Sequence, residues 1–176
     1  LDVQVSIEAA DGFQYARVAQ LTQRTNQFNF TTIRRIESQI RQLGEQNEVK
    51  IRTVNVRDRF GDYGLVGVMI YKTGQSELRL DSLMLSCRVL GRGVEHQMLA
   101  YLGKTATDQG ITEIAVDFTP TDKNEPAKHF LDSLTSTEKH DTEYRFSAAK
   151  LSRLKFSPLV EETTALAVET EVQRTQ

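Results

Sequence analysis

The stretch from Asp81 to Leu102, DSLMLSCRVLGRGVEHQMLAYL, constrains this chain more than any other. It reads as a strand that stops at a basic, glycine-bearing turn and then feeds a helix. Asp81, Leu83, Leu85 and Cys87 fall on one face of an extended run, with Ser82, Met84 and Ser86 on the other. Val94, Met98, Leu102 and Ala106 then recur at helical spacing. Between the two, Arg88, Gly91 and Gly93 stand in the pattern R-x-x-G-x-G, directly after Cys87, the single cysteine. A helix starting just after glycines leaves its first N–H groups unpaired and carries partial positive charge at that end, so an anionic phosphate is a natural guest. Glycine lets the main chain approach such a guest closely.

The other elements follow in order. Val3, Val5 and Ile7 alternate with polar neighbours as a first strand ending at Asp11-Gly12. The run from Tyr15 to Phe28 has helical periodicity through Val18, Leu21, Thr25 and Phe28. Thr31 or Thr32 is then placed to cap a second helix carrying Ile33, Ile36, Ile40 and Leu43, which Gly44 ends. Strands are expected over Val49 to Val56, Leu65 to Tyr71 and Leu78 to Cys87, with connections short enough for antiparallel hairpins. Past the central helix, Gly110 stops the chain and Ile114, Val116 and Phe118 alternate as a fifth strand. A short helix from Glu125 to Leu134 and a strand pair, Tyr144 to Ala149 and Leu154 to Leu159, complete the pattern. The expected division is therefore one domain over 1–159 and a tail or linker over 160–176, a run without aromatic residues or glycine.

The 176 residues suffice for one globular domain, which buries roughly 70% of the unfolded chain's surface. Twenty-two basic against twenty-four acidic residues argue against a nucleic-acid surface. A single cysteine forbids an internal disulfide, no run approaches the roughly 20 apolar residues of a membrane span, and Leu1 opens no signal-peptide pattern. These features lead to an expectation of a cytoplasmic protein without membrane or nucleic-acid partners. The chain opens mid-strand without an initiator methionine, as an excised piece of something larger would.

Strand, two helices, three antiparallel strands, a glycine turn with its helix, strand, helix, then two strands: this order resembles the GNAT (GCN5-related N-acetyltransferase) fold. That is an α/β (α+β) architecture with a mixed, mostly antiparallel sheet flanked by helices. In that family the turn holds the pyrophosphate of acyl coenzyme A, and the strands before and after it splay apart to admit the pantetheine arm. The resemblance implies cofactor contacts from Arg88, Val89, Leu90, Gly91, Arg92 and Gly93.

Three stretches carry a narrower resemblance: RVAQLTQRTNQFNFTTIRR from Arg17 to Arg35, LSCRVLGRGVE from Leu85 to Glu95, and TPTDKNEPAKHFL. They are similar to the C-terminal half of FkbH-like proteins of polyketide biosynthesis. Those proteins pair an N-terminal haloacid-dehalogenase-type (HAD-type) domain with an acetyltransferase-like domain. Together these place a glyceryl group, derived from 1,3-bisphosphoglycerate, as a thioester on an acyl carrier protein. The resemblance implies an acyltransferase of which only the second half is present, since no D-x-D-x-T phosphatase signature occurs. It also implies an acyl carrier protein as partner, with carrier-bound phosphopantetheine or coenzyme A as cofactor. Two rivals remain: acetyl transfer from acetyl coenzyme A to an amine, which needs no cysteine, and a non-catalytic module that docks the carrier protein.

The candidate catalytic residues are Cys87, Asn124 and His129. A thioester needs a sulfur, and Cys87 stands among basic neighbours next to a helix N-terminus, although free cysteine is also a common small buried hydrophobe. Arg88 and Arg92 either clamp phosphate or cover surface. Asn124 either positions a reacting group or caps the helix beginning at Glu125. Asp81 and Glu95 are candidate proton acceptors, and in the first helical turn Glu95 also complements the dipole. His129 is an imidazole of the kind that partners a thiol, whereas His96 and His140 are expected in solvent. Asn26, Gln27 and Asn29 either satisfy buried backbone groups or line an acyl pocket. Histidines and cysteine show no zinc-ligand spacing, so no metal is expected.

Overall fold

The structure is a computed structural model, and it describes residues 2–156. A seven-stranded sheet, in the order β1-β2-β3-β4-β5-β7-β6, is built from β1 (Gln4–Ala9), β2 (Val49–Asp58), β3 (Gly61–Thr73), β4 (Glu77–Leu85), β5 (Glu113–Asp117), β6 (Glu138–His140) and β7 (Glu143–Ser147). All neighbours are antiparallel except β4 and β5, whose parallel pairing requires a crossover. That crossover is the helix α3, after α1 (Tyr15–Arg24) and α2 (Glu37–Glu45). α3 spans Val94–Asp108, α4 Glu125–Ser133 and α5 Ala148–Ser152. The α+β architecture expected from the order of elements is the one observed.

The sheet carries a hydrophobic layer on each face. Val18, Leu21 and Ile40 of α1 and α2 pack with Val49, Ile51, Val68 and Ile70. The larger layer joins Val94, Met98, Leu102 and Ala106 of α3 to Leu78, Leu80, Leu83 and Leu85. The shift from Leu80 to Leu83 breaks simple alternation, because β3 pairs Ile70 with Ser82 but Tyr71 with Leu80, leaving Asp81 as a bulge. Asp81 consequently does not share a face with Leu83. It turns to the Ser82 side, where its carboxylate accepts from Arg35 (2.7 Å) and from Ser82 Oγ (2.8 Å).

α5 lies directly on α3 at Gly103, where an added Cβ would stand 2.3 Å from the backbone nitrogen of Ser152. Backbone cannot swing aside as a side chain can. Gly103→Ala is therefore expected to cost about 1–3 kcal/mol, the usual range for overpacking. Thermal unfolding checks this, and an unchanged Tm would contradict the contact.

Several boundaries differ from the sequence reading, four of them for a plain physical reason. α1 stops at Arg24 and not at Phe28, because the edge of β4 captures the residues that follow. α2 starts at Glu37, with the Gln39 side chain accepting from Ile36 N–H (2.9 Å), and neither threonine caps it. Thr31 instead donates to the Asp81 carbonyl (3.0 Å), and Thr32 has φ +57°. Gly44 lies inside α2, where the missing side chain makes room for Tyr15; an added Cβ would stand 2.4 Å from the tyrosine oxygen. β7 pairs with β6 before it, and Ala148 starts a helix capped by Ser147, whose hydroxyl accepts from Lys150 N–H (3.3 Å). Leu154–Phe156 form no strand. The rest of that expected strand and the tail over 160–176 lie outside the described residues.

Candidate active site

β4 and β5 pair only from Glu77↔Glu113 to Leu80↔Val116. Beyond that point β4 runs on to Leu85 while β5 ends, so the strands part as expected, but the gap is not open. Phe30 N–H donates to the Leu83 carbonyl (3.0 Å) and Leu85 N–H donates to the Phe28 carbonyl (3.0 Å), an antiparallel bridge centred on Asn29 and Met84. On the other side, Thr119 N–H donates to the Phe30 carbonyl (2.8 Å). The chain's own Phe28–Phe30 thus occupies the opening that the resemblance reserves for a pantetheine arm. This corrects the expectation of a free gap, and its cause is backbone pairing that an incoming arm would have to displace.

The polar residues of this wedge hold it in place. Asn29 donates from Nδ2 to the Thr25 carbonyl (3.1 Å) and accepts at Oδ1 from Thr32 N–H (2.9 Å). Arg34 donates to the Thr22 and Thr25 carbonyls and to Asn26 Oδ1. Asn124, fully buried, donates to the Asn29 carbonyl (3.0 Å) and the Thr119 carbonyl (2.8 Å) and accepts from Thr121 N–H (2.8 Å). It stands at the N-cap position of α4, yet its side chain bonds no helix amide. The capping expectation is therefore corrected: the amide group is spent tying the wedge to the loop after β5.

The first half of the glycine turn is occupied as well. A single 3-10 turn spans Cys87–Val89, and Gly91 (φ +75°) and Gly93 (φ +84°) adopt the left-handed conformation that favours glycine. Val89 N–H donates to the Ser86 carbonyl (3.2 Å), Leu90 N–H to the Cys87 carbonyl (3.4 Å), and Gly91 N–H to the Glu95 carboxylate (3.2 Å). Val89 is buried in the core and Leu90 packs against it. Glu95 is itself only 6% exposed, so a carboxylate from the chain stands where a phosphate was expected. Phe156 also closes over Gly93, with its Cβ 2.7 Å from the position of an added glycine Cβ.

Arg92 points elsewhere, donating to Asp58 Oδ2 (2.8 Å) and to the Tyr63 hydroxyl (3.0 Å). Burial raises the Asp58 carboxyl, but donation from Phe60 N–H and the Tyr63 hydroxyl, with the charge of Arg92, outweighs it and leaves that group below its ordinary value. A carboxyl depressed by folding stabilises the native state above the unfolded pKa of about 4 and loses that contribution as pH falls through the folded value. Asp58→Asn is thus expected to flatten the fall in stability below about pH 4. Parallel acid-unfolding curves for the two proteins would contradict this.

Cys87 is exposed and lines a cleft of about 320 Å³. One wall is Arg17, Leu21 and Arg24 of α1, and the rest is formed by residues 25–28 and 85–88. Asn26 and Gln27 line it as well, so of the three polar residues left open by the sequence, Asn29 serves the backbone and the other two face the cleft. Arg88 joins Cys87 there, but Asn124 and His129 are not among the lining residues. His129 is 72% exposed on α4, with Nε2 3.1 Å from Glu125. His96, expected in solvent, is half-buried with its ring 5.1 Å from Phe130 and 5.3 Å from Phe156, and that burial lowers its pKa. His140 is exposed.

Arg17 and Arg24 were missed as site residues. The available signal was their i, i+7 spacing with Leu21 between, which puts all three on one side of a helix. A larger hollow of about 560 Å³ lies along β1 and β2, but Ser6, its one hydroxyl, is bonded to Glu8 (3.1 Å). Among the described residues no group of histidine, cysteine and carboxylate side chains stands ready to hold a metal, and no helix is long and apolar enough to cross a membrane.

No family model matches the chain, and no curated protein sequence matches it. Solved structures do. The ribosomal-protein-S18-alanine N-acetyltransferase of Escherichia coli superposes with a TM-score of 0.59 at 11% identity, covering 82% of this chain and 94% of that one. A spermidine N-acetyltransferase mutant from Vibrio cholerae gives 0.60 at 11%, covering 85% and 97%. An aminoglycoside acetyltransferase solved with coenzyme A gives 0.57 at 13%, covering 85% and 99%. Identities this low speak to architecture alone, and on that evidence the chain has the GNAT fold.

Proposed function

We propose that this chain is an acyltransferase domain working through an enzyme thiol, moving a glyceryl group between Cys87 and the phosphopantetheine thiol of an acyl carrier protein. In this reading a HAD-type domain supplies the glyceryl group, as the similarity to FkbH-like proteins implies. The observation that carries the proposal is the pairing of an exposed thiol in a basic cleft with a sheet opening filled by Phe28–Phe30. The chemistry is thioester exchange. The Cys87 sulfur adds to the acyl carbonyl to form the new C–S bond, the tetrahedral oxyanion collapses with cleavage of the donor C–S bond, and the proton lost from Cys87 is returned to the departing thiolate. Exchange between two thiols is nearly balanced in energy, so orientation supplies much of the rate. Asn26 Oδ1 is held by Arg34, which leaves its amide N–H groups without a partner among the described residues. They are suited to the developing oxyanion or to the hydroxyls of a small polar acyl group.

The fold also favours a second reading, acetyl transfer from acetyl coenzyme A to an amine. The filled opening and the engaged N–H groups of Val89, Leu90 and Gly91 count against it. Intact-mass measurement separates the two. Incubation with glyceryl-loaded carrier protein is expected to add one glyceryl group to the chain, whereas acetyl coenzyme A with amine acceptors is expected to give no turnover. Amine acetylation without any protein adduct would reverse the choice.

A further inference from the structure

The cleft beside Cys87 carries more positive charge than its neighbourhood balances. Among the described residues Arg17, Arg24 and Arg88 all line it, no carboxylate does, and none of the three forms an ion pair. Arg17 donates to Gln20 Oε1 (2.5 Å) and to the Leu65 carbonyl (3.2 Å), which fixes its guanidinium in the cleft wall. Among the described residues the Arg88 side chain makes a single, long contact, to Ser86 Oγ (3.4 Å). Burial first, and then the charges of Arg88 and Arg24, push the Arg17 pKa down. Guanidinium groups that share a cleft without an acid are suited to phosphate, whose oxygens accept paired N–H donors. Meanwhile the N–H groups of Val89, Leu90 and Gly91 are already engaged.

We propose that Arg17, Arg24 and Arg88 form a seat for a phosphate ester on the α1 side of the sheet, in place of the glycine turn. Two sources share this chemistry: the phosphodiester of a carrier-protein arm, and a phosphorylated acyl donor. The assignment of the arm rests on the acyl-transfer reading; the phosphate seat itself does not.

Calorimetric titration with 4′-phosphopantetheine and with 3-phosphoglycerate, each against its dephosphorylated counterpart, tests the seat and tells the sources apart. At least one phosphorylated probe is expected to bind about tenfold or more tightly than its counterpart, the usual strength of a charge-assisted hydrogen bond. Arg24→Ala and Arg88→Ala, both exposed positions, are each expected to weaken that probe by a similar factor, and Cys87→Ala to leave it bound. Lys104→Ala, an exposed charge paired with Asp108 on α3, controls for net charge and is expected to change nothing. Phosphate giving no advantage, or an advantage insensitive to both arginine variants, overturns the seat. A glyceryl adduct that forms equally well without phosphate on the donor overturns the seat and leaves the acyl-transfer reading standing. Phosphate-dependent, arginine-dependent binding without any adduct does the reverse.

Discussion

Cys87→Ala is expected to abolish the glyceryl adduct completely while leaving thermal unfolding essentially where it was. The two halves of that result follow from one observation, the exposure of the side chain. An exposed thiol supports no packing, and surface changes of this size usually fall within about 0.5 kcal/mol. The chain holds no second cysteine to accept an acyl group as a thioester. Loss of the adduct with an unchanged Tm therefore reports on chemistry alone. Cys87→Ser tests the point more finely: a hydroxyl of the same shape without an adjacent base is a far weaker nucleophile, and among the described residues no histidine lines the cleft. An adduct that persists in Cys87→Ala would place the acylated group elsewhere and remove the thiol from the mechanism.

Phe30→Ala is expected to be the most destabilising of the substitutions considered, by about 3–5 kcal/mol, the usual cost of truncating a buried phenylalanine. The ring is fully buried, 5.5 Å from Phe28 and 6.3 Å from Phe118 between centroids, and its backbone links β4 to the loop after β5. Removing it leaves a cavity where the two strands part and loosens the segment that closes the gap. Domains are stable by only about 5–15 kcal/mol, so this is a large share of the total. Urea unfolding measures it. A loss below about 1 kcal/mol would mean that the wedge rests on the sheet without holding it.

The sheet was legible because its signals are local. The strand-forming apolar runs of β2 to β5 and the helical recurrence of Val94, Met98, Leu102 and Ala106 need no knowledge of what lies opposite. Residues 25–36 were misread for the opposite reason. Their apolar spacing suits a helix, but the free edge of β4 beyond Leu80 offers Phe28–Phe30 backbone partners that lie far away in sequence. Gly44 looked like a helix end, since nothing near it in the chain announces Tyr15. The site divides in the same way. Cys87 and Arg88 stood out as neighbours in a motif, whereas Arg17 and Arg24 enter the cleft only because α1 packs over the end of β4. Tertiary contacts also separated Arg92 from Arg88 by drawing it to Asp58.

Amide chemical-shift mapping in ¹H–¹⁵N spectra during titration with 4′-phosphopantetheine tests most directly where this domain takes its arm. The account predicts shifts confined to the cleft-lining residues 17, 21, 24–28 and 85–88, with the amides of Phe30 and Thr119 still protected from exchange. Shifts concentrated at Gly91, Gly93 and β5, with Phe30 losing its protection, would contradict it.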